Sequence, residues 1–437
     1  MADLIGGKEE NHSLRSGTRI PCELCHLACA HRDALVAVWR DSIVPGEDDP
    51  DLLRLVKVLV GAVAQLVRSG RISNAADLGV TLAAIFDLCV SLEYAELLTD
   101  TDWLYCPDGD SPALIYSYVK ACPRCAASAK LIREVKSHKP GSDTIGRIAA
   151  KTIAIMLSVL SQDTNPRWRV RQVARRHFDV DILLFTGDAL AVCEVKASPL
   201  TAFPLITSLR QPLRRQGRRE ERQLVEYHRS TDLIREKAGR VSLFVPQTGR
   251  TYDLGKAASP GYPLRTFTRQ YAGNPDVVYE IVCAWSQMYN GYGRNWAGDG
   301  DGTLRWLTFG CGGGVDDSKN SPGIDRTDDI KKGIYQMLKL GDHFVSCCKA
   351  GAVRVALLSN VHAVRHHDDY LSGLEDVIWT RVGLLCETTD PQWRKVRVCD
   401  LIRLYDASIN FTRPHFRDEQ LGSAFQLAAL LSRLERE

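Results

Sequence analysis

The sequence lacks any apolar stretch able to cross a bilayer unbroken. Its longest runs, Val58–Val67, Leu78–Leu92 and Ile148–Leu160, are short or interrupted by Asp87 and Lys151, where a span needs about 18 consecutive apolar residues. The start MADLIGGKEENHS has no basic segment followed by an apolar one, so no secretory signal is expected. These absences predict a cytoplasmic protein with no membrane partner. Charge of one sign is also lacking: Lys and Arg number 56 against 53 Asp and Glu, for a net +3. Any nucleic-acid surface must then come from local clustering rather than a global basic field.

Cysteine is not scarce. Fourteen are present, and in a reducing compartment they are not disulfides. Cys89, Cys193, Cys283, Cys347, Cys386 and Cys399 sit in apolar surroundings and suit buried packing. The others concentrate in the N-terminal third, where PCELCHLACAHRD gives Cys22-x-x-Cys25 and KACPRCAAS gives Cys122-x-x-Cys125. Two such pairs can present four thiolates to one structural Zn²⁺, with Cys29 and Cys106 as reserve ligands. Between them, DLLRLVKVLVGAVAQLVRSG and NAADLGVTLAAIFDLCVSLEYAELL repeat apolar residues at helical spacing, with Asn74 as an N-cap and Gly70 as a stop.

Length favours two domains, and the Pro/Gly break SHKPGSD marks the boundary. Residues 1–140 are expected to form a mostly helical, zinc-binding N-terminal domain and 141–437 a second domain with an insertion around 197–305. Glu134-Val135-Lys136, just before the break, ends an alanine-rich helical run, where residues two apart point in opposite directions; it reads as a solvated face.

From Ser142 the chain reads helix, strand, strand. Ser142 or Asp143 is expected to cap DTIGRIAAKTIAIMLSVLSQ; an arginine-rich segment, RWRVRQVARRHF, follows, then DVDILLF and ALAVCEVK around Thr186-Gly187-Asp188. A two-residue Gly187-Asp188 loop pairs Thr186 with Ala189, which sets Asp181 opposite Glu194 and Asp179 opposite Lys196. Opposed residues share a face with Cβ atoms about 5 Å apart. Two carboxylates so placed repel unless a cation lies between them, and oxygen donors suit Mg²⁺. A neighbouring lysine can orient water or stabilise charge on a phosphate. A three-residue loop would instead oppose Asp181 to Cys193 and spoil the arrangement.

Asp-x(n)-Glu-x-Lys across a hairpin that follows an amphipathic helix resembles the PD-(D/E)XK nuclease superfamily, above all its type II restriction endonucleases. The proline of that motif is absent here, since Phe178 precedes Asp179 and Val180 precedes Asp181, so the choice between the two aspartates stays open; register favours Asp181. The resemblance implies an α/β fold with a restriction-endonuclease-like core, a central mixed sheet flanked by helices. It makes Asp181 and Glu194 Mg²⁺ ligands and Lys196 the catalytic lysine. It also implies a homodimer acting on double-stranded DNA in a bacterium or archaeon, with a cognate DNA methyltransferase as functional partner. The segment DSKNSPGIDRTDDIKKGIYQ further resembles the ApaLI-type restriction enzymes.

Arg210, Arg214 and Arg215 belong to a polar cluster suited to phosphate and guanine contacts, although Glu220 and Glu221 alongside equally suit a solvated helix. DDIKKGIYQMLKL reads as a helix, followed by the strand VRVALLSNV; Lys319, Lys332 and Gln336 are candidates to reach the site. Asp317-Ser318-Lys319 is a rival triplet without a regular strand before it. GCGGG lacks the Lys-Ser/Thr of a phosphate loop, and HAVRHHDD reads as a polar loop after a strand. Two further functional classes remain: a zinc-dependent DNA-binding regulator without catalysis, and a repair or mobile-element nuclease with little sequence specificity.

Overall fold

The computed structural model describes residues 32–97, 103–106, 113–116, 124, 141–177, 180–186, 190–208, 225–227, 240–257, 259–293, 323–343, 353–372, 378–380, 383–385, 401–403 and 407–436. In chain order the first elements are α1 (Arg32–Arg40), β1 (Ser42–Ile43), α2 (Pro50–Arg68), α3 (Ala75–Leu97), β2 (Trp103–Cys106), β3 (Ala113–Tyr116) and α4 (Ser142–Leu160). Next come β4 (Arg169–His177), β5 (Val180–Phe185), β6 (Leu190–Val195), β7 (Leu205–Ser208), β8 (Val225–Tyr227), β9 (Val241–Val245), β10 (Arg250–Gly255), α5 (Leu264–Phe267) and α6 (Pro275–Gly293). The chain closes with α7 (Thr327–His343), β11 (Val353–Leu358), α8 (His367–Tyr370), β12 (Ile378–Thr380), β13 (Gly383–Leu385), β14 (Leu401–Arg403), β15 (Ala407–Ile409), β16 (His415–Phe416), α9 (Glu419–Phe425) and α10 (Leu427–Arg436).

Local chemistry explains several helix ends. The Asp49 carboxylate accepts the Leu52 N–H at 3.0 Å with Pro50 at the first helical turn, and Gly70 at φ +73° follows the last turn of α2. Asn74 accepts the Asp77 N–H at 2.9 Å and opens α3. At α4 the expectation is corrected: the cap position is Gly141, which contributes no side-chain bond, so Ser142 and Asp143 already lie inside the helix. Helix α3 is buried on nearly every side from Leu78 to Ala95, as suits a helix apolar all round. Its length and composition would allow a membrane span, but 78% of its most apolar window is buried within the protein.

The protein is α/β, with a mixed central sheet flanked by helices. Seven strands run in the order β1-β4-β5-β6-β11-β15-β16; β4, β5 and β6 form an antiparallel meander, and β11 and β15 add parallel to β6. A second, antiparallel sheet has the order β10-β9-β7-β3-β2-β8, and a small third one the order β13-β12-β14. Two apolar clusters line opposite faces of the central sheet. One joins Ile182, Leu184, Ala191 and Cys193 to α2, α3, α4 and α6; the other joins Leu183, Phe185, Leu190 and Val192 to α1 and α7. Elements on both sides of residue 140 therefore share one core. They share sheets as well, since β1 pairs with β4, and β2 and β3 pair with β8 and β7.

The arginine-rich segment is the first strand of the meander, β4. Trp168 and Val170 turn into the core, and the Arg171 guanidinium lies 5.1 Å from the Trp39 ring while donating to the Ser42 carbonyl. Strands β2 and β3 likewise add sheet to an N-terminal part expected to be mostly helical.

Candidate active site

The register of the β5–β6 hairpin decides whether the acidic residues meet. Phe185 pairs with Leu190, Leu184 with Ala191, Leu183 with Val192 and Ile182 with Cys193. One further step sets Asp181 across from Glu194, the register that a two-residue loop requires. The loop residues and Asp179 lie outside the described residues.

Strand alternation then fixes the face. Leu183, Phe185, Leu190 and Val192 belong to the cluster beneath α7, so Asp181, Glu194 and Lys196 point to that side. The Val195 N–H donates to Asp181 Oδ2 at 2.8 Å, the Lys196 ammonium donates to Glu194 Oε1, and the Lys196 N–H bonds the Leu358 carbonyl at 2.9 Å. Glu194 is buried at 4% exposure, while Asp181 and Lys196 are half-buried. The group thus ends at a solvent edge rather than inside the sheet. Burial and, second, the Asp181 charge push the Cys193 thiol well above its ordinary range, so this cysteine is inert packing.

Helix α7 closes over the pair. A Cβ at Gly333 would sit 3.3 Å from Leu357 Cδ1 and 3.6 Å from Lys196 Cγ, so glycine lets the helix backbone approach the lysine stem. One turn on, Gln336 Oε1 is buried with no hydrogen-bond partner among the described residues. Lys332 is exposed, as are Lys331 and Lys339. Among them stands Tyr335, 67% exposed. Lys332 and Gln336 stand out in the sequence, whereas Gly333 shows no motif; Tyr335 is marked there only as an aromatic among lysines on a polar helix face.

The histidine-rich segment after β11 is more ordered than a solvated loop. The buried Asp325 carboxylate accepts the Tyr292 hydroxyl at 2.5 Å and the Arg365 and His366 N–H groups at 3.0 and 3.1 Å. Burial holds the His362 imidazole down at about 4, with Arg413 and His367 adding to the effect. It is therefore a neutral hydrogen-bonding group beside the Thr412 hydroxyl, 2.7 Å away.

Among the described residues no three His, Cys, Asp or Glu side chains gather closely enough to hold a metal by themselves. Asp181 and Glu194 supply two carboxylates, a donor set that suits Mg²⁺ sharing its coordination with waters and substrate phosphates. Cys22, Cys25, Cys29, Cys122 and Cys125 lie outside the described residues, as do Arg210, Arg214, Arg215, Asp317 and Lys319. Cys106 is buried in β2. Comparison with protein-family models, with curated proteins and with solved structures found no match.

Proposed function

We propose that the chain is a Mg²⁺-dependent phosphodiesterase of the PD-(D/E)XK type, acting on duplex DNA as a type II restriction endonuclease. What carries this is the hairpin register, which one step beyond the Ile182–Cys193 pair sets Asp181 across from Glu194, together with the Lys196 ammonium donating to Glu194. Topology supports it: helix α4, the meander β4–β6, helix α7 and the parallel strand β11 make the αβββαβ succession such a core needs. Asp181 and Glu194 would hold the ion, whose contribution when bound is to neutralise charge on the scissile phosphate and on the water that attacks it. Lys196 orients that water and faces the charge that develops on the phosphoryl oxygens. The water oxygen bonds to phosphorus as the bond to the leaving oxygen breaks, and that oxygen takes up a proton.

Substrate contacts follow from charge. Lys331, Lys332 and Lys339 around Tyr335 suit a phosphate backbone; Arg210, Arg214, Arg215 and Lys319 are proposed to extend that surface. Cleavage of both strands calls for a homodimer with one site per strand, and host DNA would be protected by a cognate methyltransferase. The Cys22–Cys25 and Cys122–Cys125 pairs are proposed to share one structural Zn²⁺ within the 1–140 part.

Incubation with unmethylated plasmid and Mg²⁺ tests the reading, alongside Glu194→Ala and Lys196→Ala. Discrete fragments that disappear in both variants are expected. Binding without cleavage by the wild type would instead mark a regulator, and a smear a nuclease of low specificity. Zinc analysis of the same preparation tests the clasp: about one ion per chain is expected for a four-thiolate site, and none would exclude it.

A further inference from the structure

Helix α3 carries two polar side chains that its apolar surroundings do not explain. Asp87 is fully buried and Ser91, one turn on, is 2% exposed. Both are used on a single stretch of chain, the segment that leaves β6 directly after Lys196. The Asp87 carboxylate accepts the Thr201 N–H at 2.8 Å, and the Ser91 hydroxyl accepts the Phe203 N–H at 2.9 Å while donating to the Asp87 carbonyl at 2.6 Å. Trp285 Nε1–H from α6 completes the carboxylate's shell at 2.6 Å.

The other end of the segment is held from the strand beside it. Asn360, just past β11 and fully buried, donates its amide N–H to the Ser198 carbonyl at 2.8 Å and lies 3.4 Å from Asp87 Oδ1. The same carbonyl accepts the Gly323 N–H at 2.8 Å. Between Lys196 and β7 the chain has no ladder partner, so its buried N–H and C=O groups need such bonds. Ser198 is only two residues from Lys196, about 7 Å of extended chain at most. Displacing Ser198 therefore moves the root of the lysine.

We propose that Asp87, Ser91 and Asn360 are positioning residues that fix the exit of β6 and so aim the Lys196 side chain at the Asp181–Glu194 pair. The catalytic part of this rests on the phosphodiesterase reading above; the anchoring part does not. Burial of a carboxylic acid among apolar side chains is costly unless its oxygens are bonded. Here each bond serves the segment that carries the lysine or the residues that hold that segment. A purely stabilising role would show as lost folding alone, without a selective effect on turnover.

The test uses the full chain with Ser91→Ala, Asp87→Asn and Asp87→Ala, read three ways. Hydrogen exchange follows the 197–204 stretch, carbon-13 NMR follows dimethylated Lys196 (assigned by its loss in Lys196→Arg), and single-turnover cleavage is set against DNA affinity. Ser91→Ala, the mildest change, should speed exchange at Phe203 roughly tenfold, the factor for lowering the free energy of local opening by about 1.4 kcal/mol. It should also shift the Lys196 methyl signal and slow cleavage by about three- to tenfold with affinity unchanged, since small misplacements cost rate. Asp87→Asn, which keeps an acceptor oxygen, should retain more rate than Asp87→Ala. An unmoved Lys196 signal in a folded Ser91→Ala protein overturns the proposal, and so does equal loss of rate and affinity. A wild type that never cleaves, while its Lys196 signal responds to Ser91→Ala, rejects the nuclease reading and leaves the anchor standing.

Discussion

Replacing Lys196 by methionine should destabilise the fold, whereas replacing Glu194 by glutamine should leave stability nearly unchanged. The asymmetry follows from where the charges sit. The Glu194 side chain is 5% exposed and that of Lys196 16%, and Asp181 lies across the hairpin from Glu194. With carboxylates about 5 Å apart and an effective dielectric near 20, the repulsion is about 3 kcal/mol, and the ammonium in contact with Glu194 offsets it by about 4 kcal/mol. Removing Lys196 leaves two facing carboxylates and should cost about 4 kcal/mol, in the range of about 3–5 kcal/mol for breaking a buried pair from one side. Glu194→Gln removes the repulsion and the attraction together, so the net change is about 1 kcal/mol. Urea denaturation of both variants and of Glu194→Gln/Lys196→Met measures this, with the double variant expected to recover most of the loss. Each single variant should also lose cleavage by about a hundredfold or more, the scale of a lost acid–base or electrostatic group. Equal destabilisation by the two single changes would identify an ordinary structural ion pair and refute the reasoning, as would cleavage within a few-fold of wild type.

Stability should fall as pH rises from about 4 to about 8, because burial pushes the Asp87 carboxyl up to about 8 and that of Glu93 to about 7. Folded-state values raised above the unfolded ones mean that their contribution is complete at low pH and lost as pH rises through the folded values; thermal melts should show this decline, and Asp87→Asn should flatten it. Gly323→Ala should destabilise by roughly 1–3 kcal/mol, since φ is +55° and the new Cβ would meet the Val361 carbonyl oxygen at 2.5 Å; an unchanged melting temperature would contradict this. Tyr335→Ala and Lys332→Ala should weaken DNA binding while leaving the fold intact, and the lysine change should reduce the salt slope by about one, measured by fluorescence anisotropy across a salt series.

The hairpin was legible because its information is local. Gly187-Asp188 specifies a short loop, the loop specifies register, and register decides which face Glu194 and Lys196 share. Helices α2, α3 and α7 were legible for the same reason, through caps and apolar spacing. Strand β4 was hidden by its arginines, although Trp168 and Val170 alternate with them: the partner that stacks on Arg171 is Trp39, far away in sequence. Strands β2, β3, β7 and β8 of the second sheet were hidden more deeply, since β3 finds its neighbour β7 only through tertiary pairing, and short strands carry little pattern of their own. Asp87 and Lys151 were visible only as interruptions of apolar runs. Their use, in the β6 exit and in the Asp49–Lys151–Glu93 bridge of 2.5 and 2.6 Å, depends on groups brought in by other elements.

The position of the acidic pair within the sheet bears on the proposed phosphodiesterase reading. Strand β6 has an antiparallel neighbour in β5 and a parallel one in β11, so its backbone is already satisfied on both edges and needs no charge to hold it. An apolar pair at positions 181 and 194 would extend the Leu183–Val192 and Phe185–Leu190 packing beneath α7 at no desolvation cost. Instead the apolar register stops one step short of the strand end, and two carboxylates and a lysine occupy the step that remains. That step lies at the C-terminal ends of the parallel strands β6 and β11, where an open α/β sheet leaves a crevice for ligands. Gly333 brings α7 close to Lys196 there, and the exposed lysines and Tyr335 of the same helix stand beside it. Among the described residues, charge placed at that strand end is costly for packing alone, and it is what the proposed reactive site would require.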